Sequence, residues 1–87
     1  MNAKIEMKET GDRIRWLRNT AGLSVKDLQA VFGFTTSQAI YKWEQGRALP
    51  SIDNLVILAD KLKVRIDDIL IVERRHNDEF TNTNATT

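Results

Sequence analysis

The chain has 87 residues, 41% of them hydrophobic, no cysteine and a formal net charge of +1. This length allows one domain with a modest core, and the lack of cysteine excludes structural disulfides and thiolate metal sites. No segment approaches the roughly 20 apolar residues of a membrane span, so we expect a cytoplasmic protein without membrane contact.

Five helices are predicted in chain order from apolar residues that recur every three or four positions. They are Asp12–Ala21, Ser24 to Gly33, Thr35 to about Gln45, Ser51 to Leu62 and Ile66–Ile71. Thr10 or Gly11 is the expected cap of the first helix. Asp27 and Gln38 stand in the capping-box positions of the second and third helices.

The two ends of the chain lack this helical spacing. Residues 1–9 are expected to form an arm whose apolar residues alternate as in a strand, although the sequence shows no partner strand. Residues 10–72 form the predicted domain, and residues 73–87 are expected to be a disordered polar tail. His76, the only histidine, is expected to be solvated, so no catalytic residue, metal site or cofactor is predicted.

Charge is distributed unevenly along the chain. Residues 1–47 contain eight lysines and arginines against five acids, whereas residues 48–87 contain five against seven. One basic face could meet an anionic partner, and ordinary solvated charge explains the pattern equally well.

The middle of the chain indicates the kind of partner. Two short helices joined by a glycine-containing turn are typical of the DNA-binding helix-turn-helix, whose second helix enters the major groove. Ile40 and Trp43 face the core in this arrangement and leave the other side of the third helix free. Gln38 can bond adenine there, and Lys42 can reach guanine.

An ordered set of residues from Asp12 to Leu70 carries a family resemblance, and the run Trp43-Glu44-any-Gly46 is its most specific piece. The set comprises Arg13, Ile14, Arg15, Leu17, Arg18, Gly22, Leu23, Ser24, Leu28, Gly33, Ile40, Trp43, Glu44, Gly46, Pro50, Ser51, Leu55, Leu58, Ala59, Leu62, Val64 and Asp67. It resembles the helix-turn-helix domain of the lambda repressor, Cro and XRE family.

The resemblance implies an all-α, five-helix, lambda-repressor-like domain in which the second and third helices bind DNA. It also implies an ion pair between Arg18 and Glu44 that ties the first helix to the end of the third. The implied base contacts are Ser37, Gln38, Tyr41 and Lys42. The implied phosphate contacts are Ser24, Thr35, Thr36 and Arg47.

The sequence departs from the common family pattern at the turn. Six residues separate Gly33 from Ile40 where five are usual, and Gln29 occupies a position that usually holds a small residue. We interpret the two departures as one change, in which a bulkier side chain widens the gap between helices and a longer turn spans it. The base-contacting residues would then shift by about one position.

The leading hypothesis is a transcriptional repressor that binds a pseudo-palindromic operator as a homodimer, at least on DNA. The alternative is a protein-binding module of the same fold, such as an antitoxin or a partner-docking protein, which the near-neutral charge and the unusual turn favour. An enzyme is not expected. The dimer interface is predicted at Ile71 and Val72 or at Trp16, which lies off the apolar stripe of its helix. Packing of Trp16 against Ile5 and Met7 is the competing interpretation.

Overall fold

The computed structural model describes residues 3–74, which form five α-helices and a two-stranded sheet. The elements are β1 (Ala3–Ile5), α1 (Met7–Thr20), α2 (Val25–Phe32), α3 (Gln38–Glu44), α4 (Ile52–Leu62), α5 (Ile66–Ile69) and β2 (Val72–Arg74). The predicted five-helix architecture is confirmed, and the small sheet is an addition to it.

The core lies between the inward faces of the helices. Each helix contributes one fully buried aliphatic residue, and such a side chain stabilises a fold by roughly 1.5–3 kcal/mol. These five residues are Ile14, Leu28, Ile40, Leu58 and Ile69. The other buried apolar residues are Trp43, Leu55, Ala59 and Leu62. Every helix, even the short α5, is therefore anchored by its own core residue.

Helix α1 is longer than the sequence predicts. It begins at Met7 rather than Asp12, and Glu6 is its N-cap residue. The predicted caps Thr10 and Gly11 are instead buried within the helix. Glycine is a poor helix former, so local rules place a helix end there. The structure keeps glycine inside α1 because the backbone at the end of α3 packs directly against it.

The strand-like segment at the start of the chain does have a partner. Strands β1 and β2 pair antiparallel, with Ile5 opposite Val72. Next to them, the N–H of Glu6 donates to the carbonyl oxygen of Ile71 at 2.8 Å. The N–H of Ile71 donates to the buried hydroxyl of Thr10 at 3.0 Å. The two ends of the described chain are thus joined to each other and to α1.

Helix α5 ends at Ile69 rather than Ile71, because the chain then becomes extended and enters β2. Helix α1 crosses the predicted start of the domain at residue 10, strand β2 crosses its predicted end at residue 72, and that division of the chain stays a prediction. His76 and the predicted tail beyond residue 74 lie outside the described residues. None of the helices within residues 3–74 is long and apolar enough to cross a membrane.

Helices α2 and α4 are capped by the serines that the sequence predicts, Ser24 and Ser51. The hydroxyl of Ser24 accepts the N–H of Asp27 at 3.0 Å, and the Asp27 carboxylate accepts the N–H of Ser24 at 2.8 Å. The predicted capping box is therefore confirmed, and the bond from the Ser24 backbone lowers the pKa of Asp27. Ser51 caps α4 by accepting the N–H of Asn54 at 3.2 Å.

The exposed apolar side chains include Ile52 and Trp16. Ile52 follows the core spacing of α4 but is 76% exposed, because it stands at the open first turn of that helix. Trp16 is 61% exposed and lines an open groove together with Ile71. Its packing against Ile5 and Met7 stays a prediction.

Candidate nucleic-acid interface

Helix α3 has one side in the core and one side in solvent. Ile40 is fully buried and Trp43 is 5% exposed, as predicted for the inward side. On the opposite side Gln38, Tyr41 and Lys42 are exposed, and their spacing of three and four residues places them in one row. Helix α3 therefore carries an exposed polar row of Gln38, Tyr41 and Lys42, while its other side is packed in the core.

Sequence reasoning missed one member of this row. Gln45 is exposed and follows Tyr41 by four residues, which continues the row beyond the last residue of α3. Its side-chain oxygen accepts a hydrogen bond from the Arg47 guanidinium at 3.3 Å. The same helical spacing indicates Gln45, which lies at the C-cap just beyond the last residue of α3. The contact also brings the exposed Arg47 beside the polar row.

The start of α3 differs from its prediction. The capping box of Thr35 with Gln38 is wrong, because α3 begins at Gln38 and Ser37 is its N-cap residue. Ser37 is half-buried, and its hydroxyl donates to the side-chain oxygen of Gln29 at 2.7 Å. The Thr36 hydroxyl accepts a long hydrogen bond, 3.4 Å, from the N–H of Gln38. Ser37 is thus turned towards α2, whereas Thr35 and Thr36 are exposed.

The predicted ion pair between α1 and α3 is present. Arg18 donates from Nε to Oε2 of Glu44 at 2.6 Å and from Nη2 to Oε1 at 3.1 Å, a bidentate arrangement. A further nitrogen, Nη1, donates to the carbonyl oxygen of Leu23 at 2.9 Å. The hydrogen bond to Glu44 raises the pKa of Arg18, and burial opposes that rise. One guanidinium therefore joins α1, the turn before α2 and the end of α3.

A direct contact between backbones fixes the same end of α3. A Cβ atom on Gly11 would lie 2.5 Å from the carbonyl oxygen of Trp43 and 2.7 Å from that of Glu44. A Cβ atom on Gly46 would lie 2.8 Å from the carbonyl oxygen of Met7. Two glycines thus let the first turns of α1 approach the end of α3 more closely than any side chain would allow.

The four residues predicted to contact phosphate differ in whether their side chains are already bonded. Ser24, Thr35, Thr36 and Arg47 are all exposed. The Ser24 hydroxyl is engaged in the capping box, where the carboxylate of Asp27 also lies. Arg47 is a full positive charge in solvent, which suits it best among the four for an anionic partner.

A family model described as helix-turn-helix matches residues 14–69, more than half of the chain. The chain belongs to the helix-turn-helix family of the lambda-repressor type. A comparison with curated protein sequences gives no match. As a member of this family the protein is a DNA-binding regulator and not an enzyme. No group of three or more potential metal ligands occurs among residues 3–74.

Solved structures share the fold of this helix-turn-helix protein. The restriction-modification controller protein C.AhdI from Aeromonas hydrophila is 26% identical with a TM-score of 0.65, and the match covers 74% of this chain and 96% of that one. The BldD DNA-binding domain of S. venezulae is 23% identical with a TM-score of 0.63, covering 75% and 96%. The clp gene regulator ClgR from C. glutamicum is 19% identical with a TM-score of 0.62, covering 72% and 80%.

Proposed function

We propose that this helix-turn-helix protein is a cytoplasmic transcriptional repressor that recognises a specific double-stranded DNA sequence with α3 in the major groove. The observation that carries the proposal is the exposed row of Gln38, Tyr41 and Lys42 on a helix whose other side is buried. The major groove of DNA is wide enough for one α-helix, and each base pair presents a different pattern of hydrogen-bond donors and acceptors there. The likeness to a restriction-modification controller protein supports a regulatory role.

The row divides into distinct roles in this proposal. Gln38, the first residue of α3, can form two hydrogen bonds to the edge of adenine, and Lys42 one turn later can reach guanine. Tyr41 offers an aromatic face and a hydroxyl between them. Ser37 contributes less than predicted, because its hydroxyl is bonded to Gln29.

A protein-binding module of the same fold is the second candidate function. Ile52 and Val56 stand one turn apart on α4 and are 76% and 52% exposed, so α4 carries an apolar strip of its own. A mobility-shift assay with genomic DNA fragments at stated salt separates the two functions. Selective retention of a few fragments at nanomolar protein supports the repressor, and salt-sensitive binding to every fragment supports the module.

Replacing Gln38 with alanine should weaken binding to a selected duplex by about 1–3 kcal/mol and relax discrimination at one or two base positions. Arg47→Ala is the matched comparison, because Arg47 is exposed beside the row but is proposed to contact phosphate. It should weaken binding to all sequences alike and flatten the dependence on salt. Fluorescence anisotropy with duplexes that differ at single base pairs measures both effects.

Equal affinity of Gln38→Ala and the parent for the selected duplex would contradict a base contact at Gln38. A loss confined to one base position in Arg47→Ala would contradict its phosphate role.

We also propose that the protein binds as a homodimer through a surface formed by Trp16, Ile71 and Val72. Trp16 is 61% exposed and lines one groove with Ile71, and Val72 is 41% exposed. The two predicted interface sites are thus neighbours on the fold, although they are far apart in the sequence. A two-fold dimer would place two copies of α3 about 34 Å apart, one turn of DNA.

Sedimentation equilibrium without DNA tests this interface. The parent should dimerise below about 100 μM, and Trp16→Ala and Ile71→Asp should each weaken dimerisation. Ile52→Asp is the control, because Ile52 is also apolar and is 76% exposed but lies on α4. A dimer that is weakened by Ile52→Asp and unaffected by Trp16→Ala would place the interface on α4 instead.

A further inference from the structure

The turn between α2 and α3 is held by one side chain of α2. The Nε2 group of Gln29 donates to the carbonyl oxygen of Phe34 at 3.1 Å. Its Oε1 atom accepts from the Ser37 hydroxyl at 2.7 Å. The main-chain oxygen of Gln29 also accepts the N–H of Phe34 at 3.1 Å. Gln29 thus contacts both the beginning and the end of this turn.

The two ends of the turn are held by different means. The Phe34 ring stacks on Phe32 with a centroid distance of 5.1 Å and meets the edge of Trp43 at 6.0 Å, so the first end is anchored in the core. At the second end, the Ser37 hydroxyl donates a hydrogen bond to Gln29, and the Ser37 side chain makes no capping bond to α3. The position of the α3 start therefore depends on a bond to α2.

We infer that Gln29 is a positioning residue for base recognition, because its amide holds Ser37 and thereby sets where Gln38 begins α3. The inference rests on the proposed function and names the residue that sets the register of the recognition helix. A hydrogen bond from a well-packed helix limits the orientations of its partner before DNA arrives, and such preorganisation favours specific over non-specific binding. Ser37 then contributes to DNA binding by fixing where α3 begins, and its hydroxyl does not contact a base.

Affinities of Gln29→Ala, Gln29→Glu and Ser37→Ala for a selected duplex, its single-base variants and a non-specific duplex test this inference. Gln29→Ala should lose about three- to tenfold in discrimination, the value of one or two hydrogen bonds, and keep its non-specific affinity. Gln29→Glu keeps the size of the side chain and an acceptor for Ser37, but it places a carboxylate oxygen against the carbonyl oxygen of Phe34, so it should also lose discrimination. Ser37→Ala should add nothing when Gln29 is already alanine, since both act through one contact.

All variants are compared at a temperature at which unfolding curves show them folded. A purely structural role would lower thermal stability and leave the base preferences of the folded variant unchanged, which would overturn the inference. A full additional loss from Ser37→Ala in the Gln29→Ala background would also overturn it, because Ser37 would then contact bases directly.

Amide hydrogen exchange of the DNA-free protein keeps this test independent of the proposed function. In Gln29→Ala the amide of Tyr41, which donates to the carbonyl oxygen of Ser37 at 3.1 Å, should exchange several-fold faster, while that of the core residue Leu58 should be unchanged. Unchanged exchange at Tyr41 would overturn the positioning role. Absence of specific DNA binding by the parent protein would instead contradict the proposed function, whatever the exchange result.

Discussion

Replacing Glu44 with alanine should lower the free energy of unfolding by about 3–5 kcal/mol, the cost of leaving one charge of a buried pair without its partner. The side chains of Arg18 and Glu44 are only 11% and 6% exposed, so water cannot replace the lost carboxylate. The guanidinium would keep the carbonyl oxygen of Leu23 as an acceptor but lose both bonds to the end of α3. Urea unfolding followed by circular dichroism measures the change.

An exposed ion pair provides the matched control. Arg65 and Asp67 lie 3.2 Å apart, with side chains that are 81% and 82% exposed. Pairs of this kind contribute about 0–1 kcal/mol, so Asp67→Ala should change stability little. A Glu44→Ala variant that unfolds with the same midpoint as Asp67→Ala would show that the buried pair does not stabilise the end of α3.

Replacing Gly11 with alanine should destabilise the protein by about 3 kcal/mol, the upper part of the range for an overpacked core. Alanine is the better helix former by about 1 kcal/mol, so local preference alone predicts the opposite sign. The added methyl group would meet the carbonyl oxygens of Trp43 and Glu44 at 2.5 and 2.7 Å. Backbone atoms cannot rotate away, so α1 and α3 must separate. Thermal unfolding decides the sign.

Gly22→Ala separates this steric effect from an effect of backbone conformation. Gly22 has φ = 74°, and a Cβ atom there would have nothing within 4 Å. Its substitution should therefore cost about 1 kcal/mol, the strain of a left-handed alanine without any collision. A Gly11→Ala variant that is as stable as the parent, or more stable, would contradict the close approach of α1 to α3.

Glu44→Ala and Gly11→Ala both disturb the end of α3, the helix that we propose contacts base edges of DNA. The Arg18–Glu44 pair and the glycine contacts fix the end of α3, and Gln29 bridges the turn before its start. A helix only seven residues long has little stability of its own, so its orientation depends on these contacts. Weakening them should reduce discrimination between DNA sequences before it abolishes the fold.

Much of the helical core could be predicted from the sequence, because it depends on spacing within single helices. The 3.6-residue period correctly indicates the buried side of α3 through Ile40 and Trp43. The capping box at Ser24 is equally local, since its two bonds join residues three apart. The exposed positions Gln38 and Lys42 follow from the same period, and their contacts with DNA remain a prediction.

Features that depend on contacts between residues distant in the chain were decided only by the tertiary structure. Glycine at position 11 signals a helix end locally, but packing against α3 places it inside α1. The alternation at the start of the chain indicates a strand, but only the structure shows its partner β2, which lies at the other end of the described chain. The sequence predicts Ser37 as a base contact, and only the structure shows that its hydroxyl donates to Gln29, one helix earlier. Spacing along the chain determines which side of a helix faces inward, whereas contacts between helices depend on three-dimensional distances that no local pattern contains.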